Sequence, residues 1–312
     1  SVICCFIQTN YMHNIKTNFD HFMKICKEYF KNDVDRHGNF KFYPKLPKMS
    51  DLEIIGLSVT MEALSIDSEN LFFKKIEPDY SKKFPNLIDR SRFNRRRKQL
   101  KERIVKCWSC LSNILNKEED TYIVDSMPIP VIKLVRENGF KSFKDDKQNL
   151  PRKGYSATTK QYIIGYKIHL IVSKAGVPSD AMITSANVHD INFLKQAELE
   201  IMNCMLIGDR AYLSKTLQMD LFESNRIKLK TANRSNQIQY RQFPKRLKGK
   251  RMIIETVNNQ LIDQFMIKRN YAKSFAGFDV RIMSKIAALV FSQFLNHLNG
   301  NPIGKVKFAL EC

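Results

Sequence analysis

The sequence has few of the features that mark membrane-spanning or secreted proteins. No apolar run approaches the roughly 20 residues that cross a bilayer, and the longest interior run, Ile286–Phe291, is only a few residues long. The opening segment SVICCFI is too short for the apolar part of a secretory leader and has no basic lead. The seven cysteines form no regular disulfide framework, which fits a reducing compartment. A membrane-spanning protein is therefore excluded and a secreted one is not expected. The start at Ser1 without Met indicates either a fragment or a misplaced start, and Met12 is a candidate initiator.

Acidic residues are scarce relative to basic ones. The chain has 312 residues, with 52 Lys and Arg against 31 Asp and Glu, which gives a net charge of +21. This length is typical of about two domains, and 43% hydrophobic residues are sufficient for a buried core. A charge of this size indicates a polyanionic partner. Charge alone does not distinguish DNA from RNA or from an anionic lipid surface.

The N-terminal part of the chain is predicted to be all-helical, because apolar residues recur in it at helical spacing. Ser50, with Glu53 three residues later, predicts a capping box at the start of one helix. The last of these helices is densely basic in its first half and has an apolar face in its second half. The predicted helices are Ile15–Lys31, one that begins after Ser50, Ser68–Ile76 and Asp89–Leu115.

The basic half of the last helix is a candidate DNA-binding element. Because it comes after two shorter helices, it could read the major groove in the manner of a helix-turn-helix, with Arg binding guanine through two hydrogen bonds. A solvated charge run, or contact with phosphates alone, is the alternative interpretation. The residues concerned are Arg92, Arg95, Arg96 and Lys98.

From about residue 119 the pattern changes from helical to mixed. The succession is three strands, helix, strand, helix, strand, helix, read from alternation and from short β-rich runs. This order is typical of a ribonuclease-H-like α/β fold, with a mixed five-stranded sheet flanked by helices. The predicted strands are Thr121–Ser126, Tyr162–Ser173, Ala181–Ala186, Cys204–Gly208 and Arg226–Thr231, and the predicted helices are Asp190–Met202, Ser214–Glu223 and Met252–Phe265.

Three carboxylates occupy positions suited to catalysis. Asp125 closes the first predicted strand, Asp209 closes the fourth, and Glu255 points away from the apolar stripe of the last helix. In a ribonuclease-H-like sheet the first and fourth strands are neighbours, so the two aspartates would meet at one edge with Glu255 leaning over them. Each residue also has an ordinary explanation, since aspartates at strand ends cap turns and a helical glutamate often lies on a solvated face.

Three converging carboxylates repel one another unless cations lie between them. Oxygen ligands suit Mg²⁺ or Mn²⁺, and two such ions about 4 Å apart can activate a water or a 3′-hydroxyl and stabilise the leaving oxygen of a phosphodiester. The arrangement therefore predicts two-metal-ion phosphoryl transfer on nucleic acid, which agrees with the basic charge of the chain.

At these residues the sequence resembles the DDE transposases of bacterial insertion sequences. The resemblance is carried by VDSMPIPV around Asp125, by IGYKIHL and SANVHD, by IGDRAY around Asp209, and by the series Arg251, Glu255 and Asn258. The helical lead, with SDLEII and FPNLIDRSRFNRRRKQL, is most similar to insertion sequence family 982. The resemblance is specific, because the order, spacing and context of several motifs agree.

The resemblance implies that Asp125, Asp209 and Glu255 are the catalytic triad, which binds two Mg²⁺ or Mn²⁺ ions, with Asn258 in support. The reaction would be DNA strand cleavage and joining at transposon ends. The partners would be double-stranded DNA, both transposon end and target, and a second copy of the chain, in the bacterial cytoplasm at the nucleoid. The implied parts are a helical DNA-binding region at 12–118, a catalytic domain at 119–298 and a C-terminal tail at 299–312.

Other residues are candidates for supporting roles. His189 and Asp190 could line the site or position a phosphate, although Asp190 is equally a helix cap and His189 an ordinary loop residue. Lys248 and Ile262 stand where some related transposases have Tyr and Lys, so the terminal-nucleotide contacts of that signature are not implied here. The basic segment before the last helix is expected to contact DNA phosphates. Its residues are Arg241, Lys245, Arg246 and Arg251.

Two other functions agree with the same residues. One is a ribonuclease-H-like nuclease without strand transfer, which would not join a cut 3′ end to a second DNA. The other is a catalytically inactive or decayed transposase-derived protein that binds DNA without metal-dependent turnover.

Overall fold

The computed structural model describes residues 14–80, 82–144, 146–156, 160–232 and 243–311. These residues form two compact units, one helical and one that contains a β-sheet. The first unit comprises the described residues up to Leu111, together with Leu261–Ala272 and those from Ala276 onward. The second unit comprises Ser112–Gln260 and Lys273–Phe275. Over the described residues, none of the helices has the length and apolarity that a bilayer crossing requires.

The prediction that the N-terminal part of the chain is all-helical is confirmed for the described residues, as is the capping box of Ser50 with Glu53. The predicted helix 89–115 is two helices that meet at Leu100. The N-terminal helices are α1 (Ile15–Tyr29), α2 (Asp51–Ala63), α3 (Glu69–Tyr80), α4 (Arg90–Gln99) and α5 (Lys101–Leu115). The later elements are β1 (Thr121–Ile132), β2 (Arg152–Ser156), β3 (Gln161–Ser173), β4 (Pro178–Ser185), α6 (Ile191–Gln196), β5 (Met205–Gly208), α7 (Lys215–Asn225), β6 (Lys228–Thr231), α8 (Lys245–Asp263) and α9 (Phe275–Leu298).

The helical unit is built around α9, which is buried along nearly its whole length. Phe22 of α1 packs edge-on against Phe291 of α9, with ring centroids 6.1 Å apart. Helices α1 and α2 lie so close that a Cβ on Gly56 would come within 2.5 Å of the Met23 sulfur. Because α9 is largely apolar around its circumference, it needs neighbours on every side. It therefore packs among the N-terminal helices, although the resemblance placed it in the region 119–298.

A single buried carboxylate connects helices of this unit. Glu62 of α2 is fully buried and lies 2.6 Å from both the Arg97 guanidinium of α4 and Lys285 Nζ of α9. Arg281 of α9 adds a third cation at 3.3 Å, and Arg97 also contacts Glu69 of α3 at 3.1 Å. Burial alone would raise the pKa of Glu62, but the charges of the three cations outweigh it and hold that pKa well below its usual range.

Among the described residues, six strands form one mixed sheet in the order β2-β3-β1-β5-β6, with β4 also paired to β3. Strand β1 is antiparallel to β3 and parallel to β5. This arrangement, with helices flanking the sheet, confirms the predicted ribonuclease-H-like α/β class. The first and fourth predicted strands, β1 and β5, are neighbours as expected.

Two strand predictions were wrong. The sheet has a sixth strand, β2, whose residues RKGYS show no apolar alternation and gave no signal. Strand β1 continues past Ser126 to Ile132, through Pro128 and Pro130. Strand β5 pairs with β1 only at Thr121–Ile123. At the two prolines, among the described strands, β1 therefore pairs with β3 alone, and its other side is an edge. A strand tolerates residues without an N–H donor at such an edge.

Two helix boundaries were also wrong. Helix α6 ends at Gln196 rather than Met202, and Leu199 and Ile201 beyond it are buried in irregular chain. Helix α8 begins at Lys245 rather than Met252, so the part of the basic segment from Lys245 to Arg251 forms its first turns instead of preceding the helix. Pro244 precedes this helix, and its carbonyl accepts the first backbone hydrogen bonds.

One histidine is buried in the sheet unit. The ring of His169 on β3 stacks against Phe193 of α6, with centroids 5.1 Å apart, and its Nε2 lies 2.8 Å from Thr184 Oγ1. Its Nδ1 meets no hydrogen-bond partner in the part of the chain that the structure describes. Burial lowers the pKa of His169 to about 4, because the charged ring would lose its hydration there.

Replacing Glu62 by Gln is expected to destabilise the helical unit by about 3 to 5 kcal/mol, because three buried cations would lose their shared counter-charge. Denaturant unfolding followed by circular dichroism measures this change. Glu102→Gln is the matched control, since its exposed carboxylate only contacts Lys101 at 2.8 Å, and its effect should stay below about 1 kcal/mol. Equal effects of the two substitutions would contradict the structural role of the cluster.

The stability of the sheet unit is expected to depend on pH through His169. Its pKa is about 4 when folded and near the ordinary 6.5 when unfolded, so the unfolded chain binds the extra proton between those values. The stabilising contribution of the neutral His169 ring is therefore complete above pH 6.5 and falls as the pH drops toward 4, by about 3 kcal/mol at most. The raised pKa values of Asp125 and Asp180, each about 6, contribute in the opposite direction over the same window. In urea unfolding across this window, the free energy of unfolding of His169→Gln should rise less with pH than that of the unaltered chain. His297→Gln, which alters an exposed histidine, should match the unaltered chain. A slope unchanged in both variants would refute the assignment to His169.

Candidate active site

Two of the predicted acids lie just beyond the segment in which two neighbouring strands pair. Asp125 lies inside β1, so the prediction that it closes the first strand was wrong, whereas Asp209 directly follows β5. Strands β1 and β5 run parallel, and Ile123 pairs with Ile207. Asp125 and Asp209 each come two residues after that pair, so both continue the same side-chain alternation beyond it. The parallel register thus brings the two aspartates to one edge of the sheet.

The surroundings of Asp125 disfavour its charge. Burial is the main cause that raises the pKa of Asp125 to about 6, and the negative charges of Asp209 and Asp190 add to it. A hydrogen bond from the Ser126 backbone N–H and the positive charge of Arg251 act in the opposite direction. A carboxylate in this position is stabilised by a cation placed beside it.

Asp209 has a structural role as well as a chemical one. Its Oδ1 accepts a hydrogen bond from the Ala211 N–H at 2.7 Å, which caps the short 3-10 turn Arg210–Tyr212. The preceding residue, Gly208, lies in a tight space, because a Cβ there would stand 3.1 Å from Val124 Cγ1 and from the Tyr212 ring. The capping explanation is therefore correct for one carboxylate oxygen of Asp209, and it also fixes the side chain at the sheet edge.

Tyr212 places a polar atom beside the same acids. Its side chain is fully buried, and its hydroxyl has no hydrogen-bond partner in the described ranges of the chain. Burial and the negative charges of Asp190, Asp125 and Asp209 raise the pKa of Tyr212 well above its ordinary value. The hydroxyl stays protonated and is able to donate a hydrogen bond to a ligand of the site.

Glu255 does not join the two aspartates in this structure. It is exposed on α8, whose buried stripe includes Ile254, Val257 and Leu261, as predicted. Across the described ranges, no group of three or more Asp, Glu, His or Cys side chains is arranged to hold a metal ion. From α8, it is the charge of Arg251, one turn earlier, that acts on Asp125.

The two aspartates fit a divalent cation by their chemistry. Their donor atoms are carboxylate oxygens, which Mg²⁺ and Mn²⁺ prefer. Asp125 is stabilised by added positive charge, and the buried Tyr212 hydroxyl is available to a coordinated water. Asp125 and Asp209 supply part of a coordination shell, and among the described residues the structure does not bring a third carboxylate into it.

The partner of Asp190 was not predicted. Nζ of Lys167 on β3 lies 2.8 Å from Asp190 Oδ1 and 2.9 Å from the Val188 carbonyl oxygen. The Asp190 side chain makes no capping hydrogen bond to α6, so the capping interpretation was wrong. His189 is exposed, and its Nδ1 accepts a hydrogen bond from the Ile191 N–H at 3.5 Å. The signal available in the sequence was the place of Lys167 on the polar face of an alternating strand.

The predicted DNA-binding residues of α4 differ in exposure. Arg92 and Arg95 are exposed, and Lys98 is half-buried. Arg96 turns inward, where its guanidinium lies 2.6 Å from the fully buried carboxylate of Asp51. Its ion pair makes Arg96 a structural residue of the helical unit.

The predicted DNA-binding and supporting residues of the second unit lie on α8. Lys245 and Arg246 are exposed in its first turn, and Asn258 is half-buried further along. Arg251 is half-buried, and its Nε has no hydrogen-bond partner among the residues that the structure describes. Arg241 lies outside the described residues.

The comparison with protein families found a match over part of the chain. Residues 115–274 match the family model described as the transposase DDE domain. The comparisons with curated proteins and with solved structures found no match. The matched segment contains Asp125, Asp209 and Glu255 and covers just over half of the chain. The chain therefore belongs to the DDE transposase family.

Proposed function

We propose that this chain is a DNA transposase that cleaves and joins DNA strands at insertion-sequence ends by two-metal-ion phosphoryl transfer. The observation that carries the proposal is that Asp125 and Asp209 each come two residues after the last pair of the parallel strands β1 and β5, close enough for the charge of Asp209 to act on Asp125, inside the matched segment. The net charge of +21 suits a DNA substrate. Within the family, the motifs SDLEII and FPNLIDRSRFNRRRKQL favour insertion sequence family 982.

Asp125, Asp209 and Glu255 are the proposed ligands of Mg²⁺ or Mn²⁺. These residues would hold the ion, which when bound would supply activation of a water or a 3′-hydroxyl as nucleophile and stabilisation of the leaving oxygen. The two aspartates are held on strands, which gives them a fixed position. Glu255 is exposed on α8, so it has to approach them, and neutralisation of the converging carboxylates by the metal favours that approach.

The basic residues of α8 are proposed to hold the DNA. Lys245 and Arg246, exposed in its first turn, would contact backbone phosphates. Arg251 lies near enough to Asp125 to act on its pKa, so it would hold a phosphate close to the reacting one. The proposed substrates are double-stranded transposon ends and target DNA at the bacterial nucleoid, bound by a homodimer.

Replacing Asp209 by Asn is expected to reduce Mg²⁺-dependent cleavage of a duplex that carries the insertion-sequence end by about 10³-fold or more, because a metal ligand is lost. Binding of the same duplex should stay close to that of the unaltered chain. Asp220→Asn, which changes an exposed aspartate on α7, is the control and should retain cleavage. Undiminished cleavage in Asp209→Asn would refute the assignment.

The third ligand is tested on the same duplex. Glu255→Gln is expected to lose cleavage as completely as Asp209→Asn, whereas Asp263→Asn, at the exposed end of the same helix, should retain it. Loss of cleavage in Asp190→Asn with full activity in Glu255→Gln would instead make Asp190 the third carboxylate.

Strand joining separates the proposed function from its alternatives. A transposase should join the cut 3′ end to a second DNA molecule in the same reaction. Cleavage without joined product would indicate a nuclease. Tight binding of the end with no metal-dependent turnover would indicate an inactive DNA-binding protein, the alternative that the exposed position of Glu255 favours.

A further inference from the structure

The loop between α1 and α2 exposes apolar side chains between lysines. Its residues Phe40–Lys48 read FKFYPKLPK. Phe42 is 85% exposed, more than any other phenylalanine in the described ranges, and Leu46 is 55% exposed. Pro44 and Pro47 restrict the backbone on either side of Leu46. Core packing therefore does not explain why Phe42 is apolar.

The backbone around Phe42 is held by a buried carboxylate. Asp51, the first residue of α2, accepts hydrogen bonds from the Phe40 N–H at 3.1 Å and from the Tyr43 hydroxyl at 2.9 Å. The guanidinium of Arg96 lies 2.6 Å from the same carboxylate and 5.6 Å from the centre of the Tyr43 ring. Phe42 therefore projects from a loop that is fixed on both of its sides.

Exposed cations lie on the same loop, as Lys41, Lys45 and Lys48, and on the helices that contact the loop. Arg92 and Arg95 of α4 line a groove of about 330 Å³ with Pro47 and Lys48 of the loop. The Arg103 guanidinium of α5 lies 5.1 Å from the Phe40 ring. The exposed carboxylate of Asp89 pairs with Arg92 at 3.1 Å. We call the exposed set the Phe42 surface; it comprises Lys41, Phe42, Lys45, Leu46, Lys48, Arg92, Arg95 and Arg103.

We propose that the Phe42 surface binds duplex DNA, with its cations on the phosphates and Phe42 as an apolar wedge in the minor groove. An apolar side chain inserted at a base step partly unstacks it and bends the duplex, and nearby lysines and arginines stabilise the bent backbone. The proposal rests on the proposed function, because DNA is the substrate of that function. It assigns Arg96 a positioning role, since Arg96 holds the loop through Asp51 and the Tyr43 ring.

The contribution of the ring is measured with the full chain and a fluorescein-labelled duplex of mixed sequence, by anisotropy. Phe42→Ala should weaken binding about tenfold, because an aromatic contact with bases is lost. Phe308→Ala is the matched control, since Phe308 is 56% exposed in the same unit and has Lys305 Nζ 5.5 Å from its ring centre. The control should bind as tightly as the unaltered chain, and both variants should melt at the same temperature.

DNA bending by the inserted Phe42 ring is measured by energy transfer between dyes at the two ends of the duplex. The unaltered chain should bring the ends closer, and Phe42→Ala should leave them apart at saturating protein. The contribution of the cations is measured from the salt dependence of binding, because log affinity falls as log salt rises. Combined Lys41→Gln and Lys45→Gln should make this slope less steep by about 2, since each lost phosphate contact changes it by about 0.9. Combined Lys268→Gln and Lys307→Gln, two exposed lysines of the same unit, should leave the slope unchanged.

Equal affinity and equal bending for Phe42→Ala and the unaltered chain would overturn the proposal. So would an effect of Phe42→Ala on binding to phosphatidylserine vesicles with none on DNA, because the surface would then serve a membrane. Asp209→Asn retains the Phe42 surface and should bind and bend the duplex normally. Failure of the cleavage prediction and failure of this one are therefore distinguishable.

Discussion

The repulsion between Asp125 and Asp209 is set by the backbone, because the parallel pairing of β1 with β5 holds both residues at one sheet edge. Burial strengthens the effect, and Asp190 adds a further negative charge, so the pKa of Asp125 rises to about 6. Arg251 opposes it only in part. A divalent cation is the group that relieves such an arrangement most directly. The metal binding proposed for this chain would thus follow from strand register and from the low hydration of one carboxylate.

In the helical unit, by contrast, two buried carboxylates are each neutralised by an arginine side chain. Asp51 and Glu62 are both fully buried, and each holds an arginine of α4, Arg96 and Arg97 respectively. Residues one turn away on the same helix, such as Arg92, remain exposed. The helical period therefore divides one basic run into residues that join α4 to its neighbours and residues that face outward. A chain with so many cations can in this way build a core and a phosphate-binding surface from the same segment.

The main strands and helices and the Ser50 capping box were predictable because they depend on residues close in sequence. The order of those elements then indicated the fold class, and the fold class implied that β1 and β5 are neighbours. Strand β2 and the continuation of β1 were not predictable, since they depend on which strand lies alongside. The helical pattern placed Glu255 on the polar face of α8 correctly. It did not reveal what lies opposite that face. The ion pair of Lys167 with Asp190 likewise joins residues that are adjacent only after folding.

Asp125 and Asp209 are proposed to belong to one metal site, and the rest of the proposed chemistry depends on that site. Electron paramagnetic resonance of Mn²⁺ titrated into the full chain, without DNA, measures its occupancy directly. Asp125→Asn and Asp209→Asn should each weaken Mn²⁺ binding by about tenfold or more, and the double variant should be little worse than either, because the ligands share one ion. Unchanged Mn²⁺ affinity in both single variants, or independent additive losses, would contradict a shared site.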